Sequence, residues 1–184
     1  MAAGAGSLVI LDRDGVINYD SAAYIRSPDE WRPLPGSLEA IAALHARGRR
    51  VVVVSNQSGV GRGLFSEATL AAIHAKMIRA IEAAGGAVSG VYYCPHRPED
   101  ACACRKPAPG MLLQIAKDLG CSLVGVPFIG DKVSDVLAAD AVRARPILVR
   151  TGSGRTAEAE LRARAVEIYE DLAAAVSHLL SAAE

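Results

Sequence analysis

Leu8-Val9-Ile10-Leu11-Asp12-Arg13-Asp14-Gly15 is a short apolar run that stops abruptly on an acidic turn. Four consecutive apolar residues without alternation read as a strand buried on both faces, as in a parallel sheet covered by helices. The chain repeats the pattern. Val51 to Val54, Val91 to Tyr93, Pro127 to Ile129 and Ile147 to Val149 are further apolar runs, and Val166 to Tyr169 is a weaker one. Helical signals lie between them. Leu38, Ile41, Ala42 and Leu44 recur at helical spacing over Ser37 to Arg47 and stop at Gly48. Ser66 is an N-cap for a helix over Glu67 to Ala84, closed by Gly85-Gly86. Further helices are expected over Gly110 to Leu119, over Val133 to Ala141 and from Asp171 onward. Strands alternating with helices predict an α/β, Rossmann-like, mainly parallel sheet with helices on both faces.

Composition sets the bounds. The 184 residues fit one domain over 1–184, and no compositional break marks a second. Hydrophobic residues make up 51% and charged ones 22%, as in a globular protein. Lys+Arg and Asp+Glu are each 20, which argues against a broad nucleic-acid surface. No apolar run approaches the roughly 20 residues that cross a bilayer. The opening MAAGAGS lacks the basic and apolar regions of a signal peptide. The expectation is a cytoplasmic monomer with neither nucleic acid nor membrane as partner.

In such sheets, ligands bind beyond the carboxyl ends of the strands. Polar residues gather there. The first strand ends in Asp12-Arg13-Asp14-Gly15, the second in Ser55-Asn56-Gln57-Ser58, and the fourth in Gly130-Asp131-Lys132 with Asp135 beyond. Arg105-Lys106-Pro107 precedes the helix at 110. Each piece alone is common: Asp-x-Asp-Gly is often only a turn, and Ser-Asn often only a loop. Together they bring three carboxylates, a hydroxyl-amide pair and two cations to one edge. Carboxylates brought together repel, and oxygen ligands beside a phosphate suit Mg²⁺. Lys or Arg at that edge would hold an anion.

The cysteines carry a second signal. Cys94, His96, Cys102 and Cys104 lie in one short stretch, about 94–104. Cys₃His is a closed tetrahedral zinc set, so a structural Zn²⁺ is expected, against the alternative of reduced thiols beside a surface histidine. Cys121 stands apart and reads as a plain buried thiol. His45, His74 and His178 fall in predicted helices and suggest no chemistry. Gly59-Val60-Gly61-Arg62-Gly63 follows a strand but fails G-x-G-x-x-G, because Leu64 holds the last position. A flexible loop is expected there, with Arg62 in reach of substrate.

The motifs Leu11-Asp12-Arg13-Asp14-Gly15, Ser55-Asn56-Gln57, Arg105-Lys106-Pro107 and Gly130-Asp131-Lys132-Val133-Ser134-Asp135 together resemble the haloacid dehalogenase superfamily of phosphatases. The likeness spans nearly the whole chain. Val16 and Ser55 stand where many members have Thr, and Ser55 keeps the hydroxyl. The resemblance implies that Asp12 attacks phosphorus and Asp14 carries protons. It assigns Mg²⁺ to Asp12, Asp131 and the main-chain carbonyl of Asp14. Ser55, Asn56, Gln57 and Lys106 would bind the phosphoryl group. Asp135 is expected to orient Lys106 or Lys132. The stretches Gly15 to Ser55 and Ser58 to Arg105 leave no room for a cap domain of roughly 50 residues, so a capless member is expected. An open site must recognise its substrate by a few polar contacts. A phosphorylated sugar with a second phosphate fits, read by Arg105, Arg62 and Lys132. A histidinol-phosphate phosphatase is the alternative, and a non-catalytic phosphate- or metal-binding module a third reading.

Overall fold

The computed structural model describes residues 8–182, so the MAAGAGS reading lies outside the described residues. The apolar runs become β1 (Leu8–Leu11), β2 (Arg50–Asn56), β3 (Gly90–Cys94), β4 (Pro127–Gly130), β5 (Arg145–Val149) and β6 (Glu167–Tyr169). All pair in parallel in the order β3-β2-β1-β4-β5-β6. The chain winds outward from β1 through β2 to β3. It then returns to the other side of β1, where Leu11 pairs with Ile129 of β4. The reversal opens a crevice at the carboxyl ends of β1 and β4.

Side chains alternate along each strand, and each face finds its own cover. Val9, Leu11, Val51, Val53, Ile129 and Ile147 pack under α1 (Ser37–Ala46), α3 (Glu67–Ala83) and α7 (Leu172–Ser181). Leu8, Ile10, Val52, Val54 and Phe128 pack under α4 (Gly110–Leu119) and α5 (Val133–Ala141). The central strands are thus buried on both faces, as the unbroken apolar runs predict, while the edge strands β3 and β6 are only half-buried. Burial of each such side chain contributes about 1.5–3 kcal/mol.

Two helical segments go beyond the sequence reading. α6 (Gly154–Glu160) has no apolar stripe, and only Gly154 and Ala157 are buried. It forms because Gly154 packs against the end of β5; a Cβ there would meet the Val149 carbonyl oxygen at 1.7 Å. α2 (Ser58–Gly61) replaces the expected flexible loop with one helical turn. Its glycine-rich sequence is a poor helix former. Tertiary contact holds it, with the Gly61 N–H donating to the Pro95 carbonyl at 2.9 Å.

The connections over the crevice are short on structure. Residues 12–36 contain one 3₁₀ turn, Pro28–Glu30, and fold into a clip in which Tyr19 N–H donates to Arg32 O and Leu34 N–H to Ile17 O. Residues 95–109 contain one 3₁₀ turn, Pro98–Asp100. No cap covers the mouth among the described residues. None of their helices is long and apolar enough to cross a membrane.

Candidate active site

The strand ends deliver three buried carboxylates. Asp12 extends β1, its N–H donating to Ile129 O at 2.9 Å. Asp131 follows β4, and Asp135 sits in the first turn of α5. One oxygen from each lies within 4.8 Å of the others. Lys106 enters between them, its Nζ 2.9 Å from Asp12 Oδ1 and 2.6 Å from Asp135 Oδ1, and donates to Val54 O at 3.2 Å. Asp135 Oδ2 accepts the Asp131 and Lys132 N–H groups, so Asp135 is committed to Lys106 and the helix start.

Negative charge is in excess here. Burial, then the neighbouring Asp135 charge, pushes Asp12 up to about 6 against the pull of Lys106 and Lys132. Burial and the Asp12 charge push Asp131 up to about 8. Burial opposes the charge on Lys106, but Asp12 and Asp135 outweigh it and hold its pKa above the usual value. A cation is the missing counterpart.

Asp131 shows where one would go. Its Oδ2 accepts the Ser153 N–H at 2.8 Å. Gly15 (φ 84°) and Gly152 (φ 56°) flank that oxygen, and a Cβ on either would come within 2.2 Å of it. Oδ1 is buried without a hydrogen-bond partner, and Lys132 Nζ stands off at 3.8 Å. A buried carboxylate oxygen left unpartnered is costly. With Asp12 beside it, the donor set is all oxygen and suits a hard divalent cation that keeps further positions for water or phosphate.

Asp14 points into a different network. Arg13 Nε and Nη2 donate to its Oδ1 and Oδ2 at 3.0 and 2.9 Å. Asn18 Nδ2 reaches Oδ1 at 2.9 Å and Gln57 Nε2 reaches Oδ2 at 2.8 Å. Burial raises the Asp14 carboxyl, but the Arg13 charge and these donors prevail and hold it below the usual range.

The expected phosphate binders divide. Ser55 is the penultimate residue of β2, its hydroxyl accepting at 2.7 Å from Gln57 Nε2, the nitrogen that also reaches Asp14. Asn56 uses its side chain on the Lys106 backbone, Nδ2 donating to Lys106 O and Oδ1 accepting Lys106 N–H, both at 3.0 Å. Gln57 uses its amide on Asp14 and Ser55. Arg62 pairs with Glu99 at 3.3 Å, and Arg105 Nη1 donates to His96 O at 3.3 Å. Lys132 pairs with Asp20 at 2.9 Å.

Cys94, His96, Cys102 and Cys104 converge, with Sγ–Sγ separations of 3.2–3.5 Å and His96 Nδ1 3.3 Å from Cys104 Sγ. Disulfide sulfurs would stand at about 2.05 Å. Zn–S bonds of about 2.3 Å give tetrahedral edges of roughly 3.7 Å, close to what is seen. Burial pushes the Cys94 thiol up to about 12. Cys102 falls to about 6 against burial, because Cys104 and the Arg105 N–H hydrogen-bond to it. The four residues could hold a soft, four-coordinate ion. Cys121, expected to be buried, is only half-buried.

Three contributors escape the sequence reading: Asn18, Ser153 and His74. His74 accepts from Arg13 Nη1 at 3.2 Å. Its signal was a polar residue on the buried stripe of α3, in line with Leu70, Ile73, Met77 and Ile81.

The "HAD-hyrolase-like" family model matches residues 103–175. The chain is 51% identical to the D-glycero-beta-D-manno-heptose-1,7-bisphosphate 7-phosphatase of Bordetella bronchiseptica, over 96% of this chain and 99% of that one. It is 49% identical to the enzyme of that name from Pseudomonas aeruginosa, over 95% and 98%. A crystal structure of D,D-heptose 1,7-bisphosphate phosphatase from B. bronchiseptica, complexed with magnesium and phosphate, superposes with a TM-score of 0.93. Identity there is 50%, over 96% of this chain and 99% of that one.

Proposed function

The chain belongs to the HAD-like hydrolases, in the family of these heptose-bisphosphate phosphatases, and on that premise we propose that it removes the 7-phosphate of D-glycero-D-manno-heptose 1,7-bisphosphate. The observation that carries the reading is the buried Asp12–Lys106–Asp131 constellation on a chain that those enzymes match over about 95% of its length. The setting is the cytoplasmic supply of nucleotide-activated heptose for cell-surface polysaccharide, by a monomeric one-domain enzyme without nucleic-acid or membrane partner.

Asp12 Oδ1 is held by the Arg13 N–H at 2.8 Å and by Lys106, which fixes the carboxylate plane. The other oxygen attacks phosphorus, the bond to the sugar oxygen breaks, and the phosphoryl group stays on Asp12. Asp14, ionised in the free site, takes up a proton as the substrate binds, gives it to the departing alkoxide, then takes the proton of the water that hydrolyses the acyl phosphate. Lys106 and the Ser55 hydroxyl hold the phosphoryl oxygens as charge moves onto them. Mg²⁺, held by Asp12, Asp131 and the Asp14 carbonyl, would offset the repulsion between carboxylate and phosphate dianion. Zn²⁺ on Cys94, His96, Cys102 and Cys104 would brace the connection that carries Arg105 and Lys106.

Arg105 and Arg62, both anchored to that loop, read the second phosphate. With Mg²⁺ present, kcat/KM for the heptose 1,7-bisphosphate should exceed that for histidinol phosphate or a hexose monophosphate. Arg105→Ala should lose about tenfold more on the bisphosphate than on p-nitrophenyl phosphate, which has no remote anion. Equal losses would confine Arg105 to the reaction centre, and preference for histidinol phosphate would overturn the substrate.

A further inference from the structure

Arg13 is fully buried, yet its guanidinium does not face the carboxylates that gather around Lys106. Two of its nitrogens fork onto the Asp14 carboxylate, at 3.0 and 2.9 Å, and Nη1 reaches back 3.2 Å to His74 Nε2. A guanidinium has donors only, so His74 must present a bare Nε2 and carry its ring proton on Nδ1. The surroundings enforce that form: burial first, then the Arg13 charge, lower His74 to about 4, and the ring is neutral at working pH. The Tyr93 ring covers the imidazole at 5.7 Å between centroids. α3, which carries His74, is itself tied to the clip over the crevice, Lys76 Nζ donating to Pro28 O at 2.6 Å.

We propose that His74 is a positioning residue for the reaction, fixing the Asp14 carboxylate through Arg13. The inference rests on the phosphatase reading, in which Asp14 carries the proton. Asp14 follows the last strand residue by three positions and lies in a turn, so its own backbone does not set its side chain. Asn18 holds Oδ1 and Gln57 holds Oδ2 singly, and the Arg13 fork alone engages both oxygens at once. Without an acceptor at position 74, Nη1 loses its partner and the fork loses its third anchor. Proton transfer depends on heavy-atom reach of a few tenths of an ångström, so a loosened fork lowers turnover more than binding.

The alternative is that His74 only satisfies a buried cation and serves stability alone. Kinetics on the metal-loaded enzyme separate the two. His74→Leu should lower kcat about tenfold with KM changed by less than about twofold. His74→Gln, whose amide oxygen accepts at similar reach, should recover most of the loss. On an Asp14→Asn background, His74→Leu should cost less than about twofold more, because the group it positions is already gone. Should His74→Leu not fold, His74→Asn, with an amide too short to reach Nη1, takes its place. Wild-type kcat in the Leu variant, a Gln variant no better than Leu, or full additivity with Asp14→Asn would each overturn the inference. An active Asp14→Asn enzyme would instead sink the phosphatase mechanism itself, so the two failures are distinguishable.

Discussion

The thiol cluster and the carboxylate cluster stand at the same end of the same sheet and are assembled by opposite means. Cys94 ends β3, and His96, Cys102 and Cys104 come from the connection that follows it, so their meeting needs only that stretch to curl back on the strand end. Asp12 and Asp131 come from opposite halves of the chain and meet only because β4 returns to pair with β1. The donors differ accordingly. The thiol set is soft, complete and closed, whereas the carboxylate set is hard, short of ligands and charged beyond what Lys106 offsets. A complete set suits a resident structural ion, and an incomplete one suits an ion shared with substrate.

The two are also joined. The Cys94 carbonyl accepts the Gln57 N–H at 2.7 Å, and Cys104 directly precedes Arg105-Lys106. Asn56 holds the Lys106 backbone from the other side. Lys106 is thus anchored twice, once by the loop and once by β2.

The sharpest separation of the clusters is Asp12→Asn. It removes the oxygen proposed to attack while keeping shape, so turnover should fall about 10⁴-fold or more. Stability should not fall with it. The wild-type carboxyl is pushed up by burial and by Asp135, and a neutral amide relieves that repulsion. Phosphate release and thermal unfolding of the metal-free protein measure the two, and zinc content should be unchanged. Near-normal turnover in this variant would remove the carboxylate cluster from the reaction.

Cys104→Ser tests the other side, with a smaller loss of activity. Elemental analysis should find one tightly held Zn²⁺ per wild-type chain and little in the variant. Activity at saturating Mg²⁺ should fall about tenfold rather than vanish, because Asn56 still anchors Lys106. Added Mg²⁺ should not restore it. Unchanged zinc content would show the cluster to be reduced thiols only.

This contrast also explains what was legible before the fold was known. A local cluster shows in its spacing, and Cys94 to Cys104 did. Asp12 and Asp131 showed because they stand where apolar runs end, and strand ends are where such sheets place ligands. The resemblance added roles to positions the strand ends had already singled out. What stayed hidden depends on side-chain direction. Nothing in Ser55-Asn56-Gln57 says that Asn56 turns to the Lys106 backbone and Gln57 to Asp14. α6 lacked an apolar stripe, and α2 is one turn held by the Pro95 carbonyl, so periodicity was silent on both. His74 looked like a helical residue of no consequence until Arg13 was seen to need an acceptor.

The last expected effect, on stability alone, sharpens the comparison from behind the carboxylate cluster, through its pH dependence. His74 has an ordinary value of 6.5 and falls to about 4 in the fold, through burial first and the Arg13 charge second. Between those values the unfolded chain holds a proton that the folded chain refuses. Stability from this group is therefore complete above about pH 6.5 and is lost as pH falls toward 4. A drop from 6.5 to about 4, at about 1.4 kcal/mol per unit, makes the loss on the order of 3 kcal/mol for this buried ring. His74→Gln has nothing to titrate, so its urea-unfolding free energy should lose about one proton's worth of slope across that window. Cys104→Ser should keep the slope, because the thiol cluster does not touch His74. An equal slope in His74→Gln and wild type would mean the imidazole is charged in the fold, and Arg13 would then have no acceptor there.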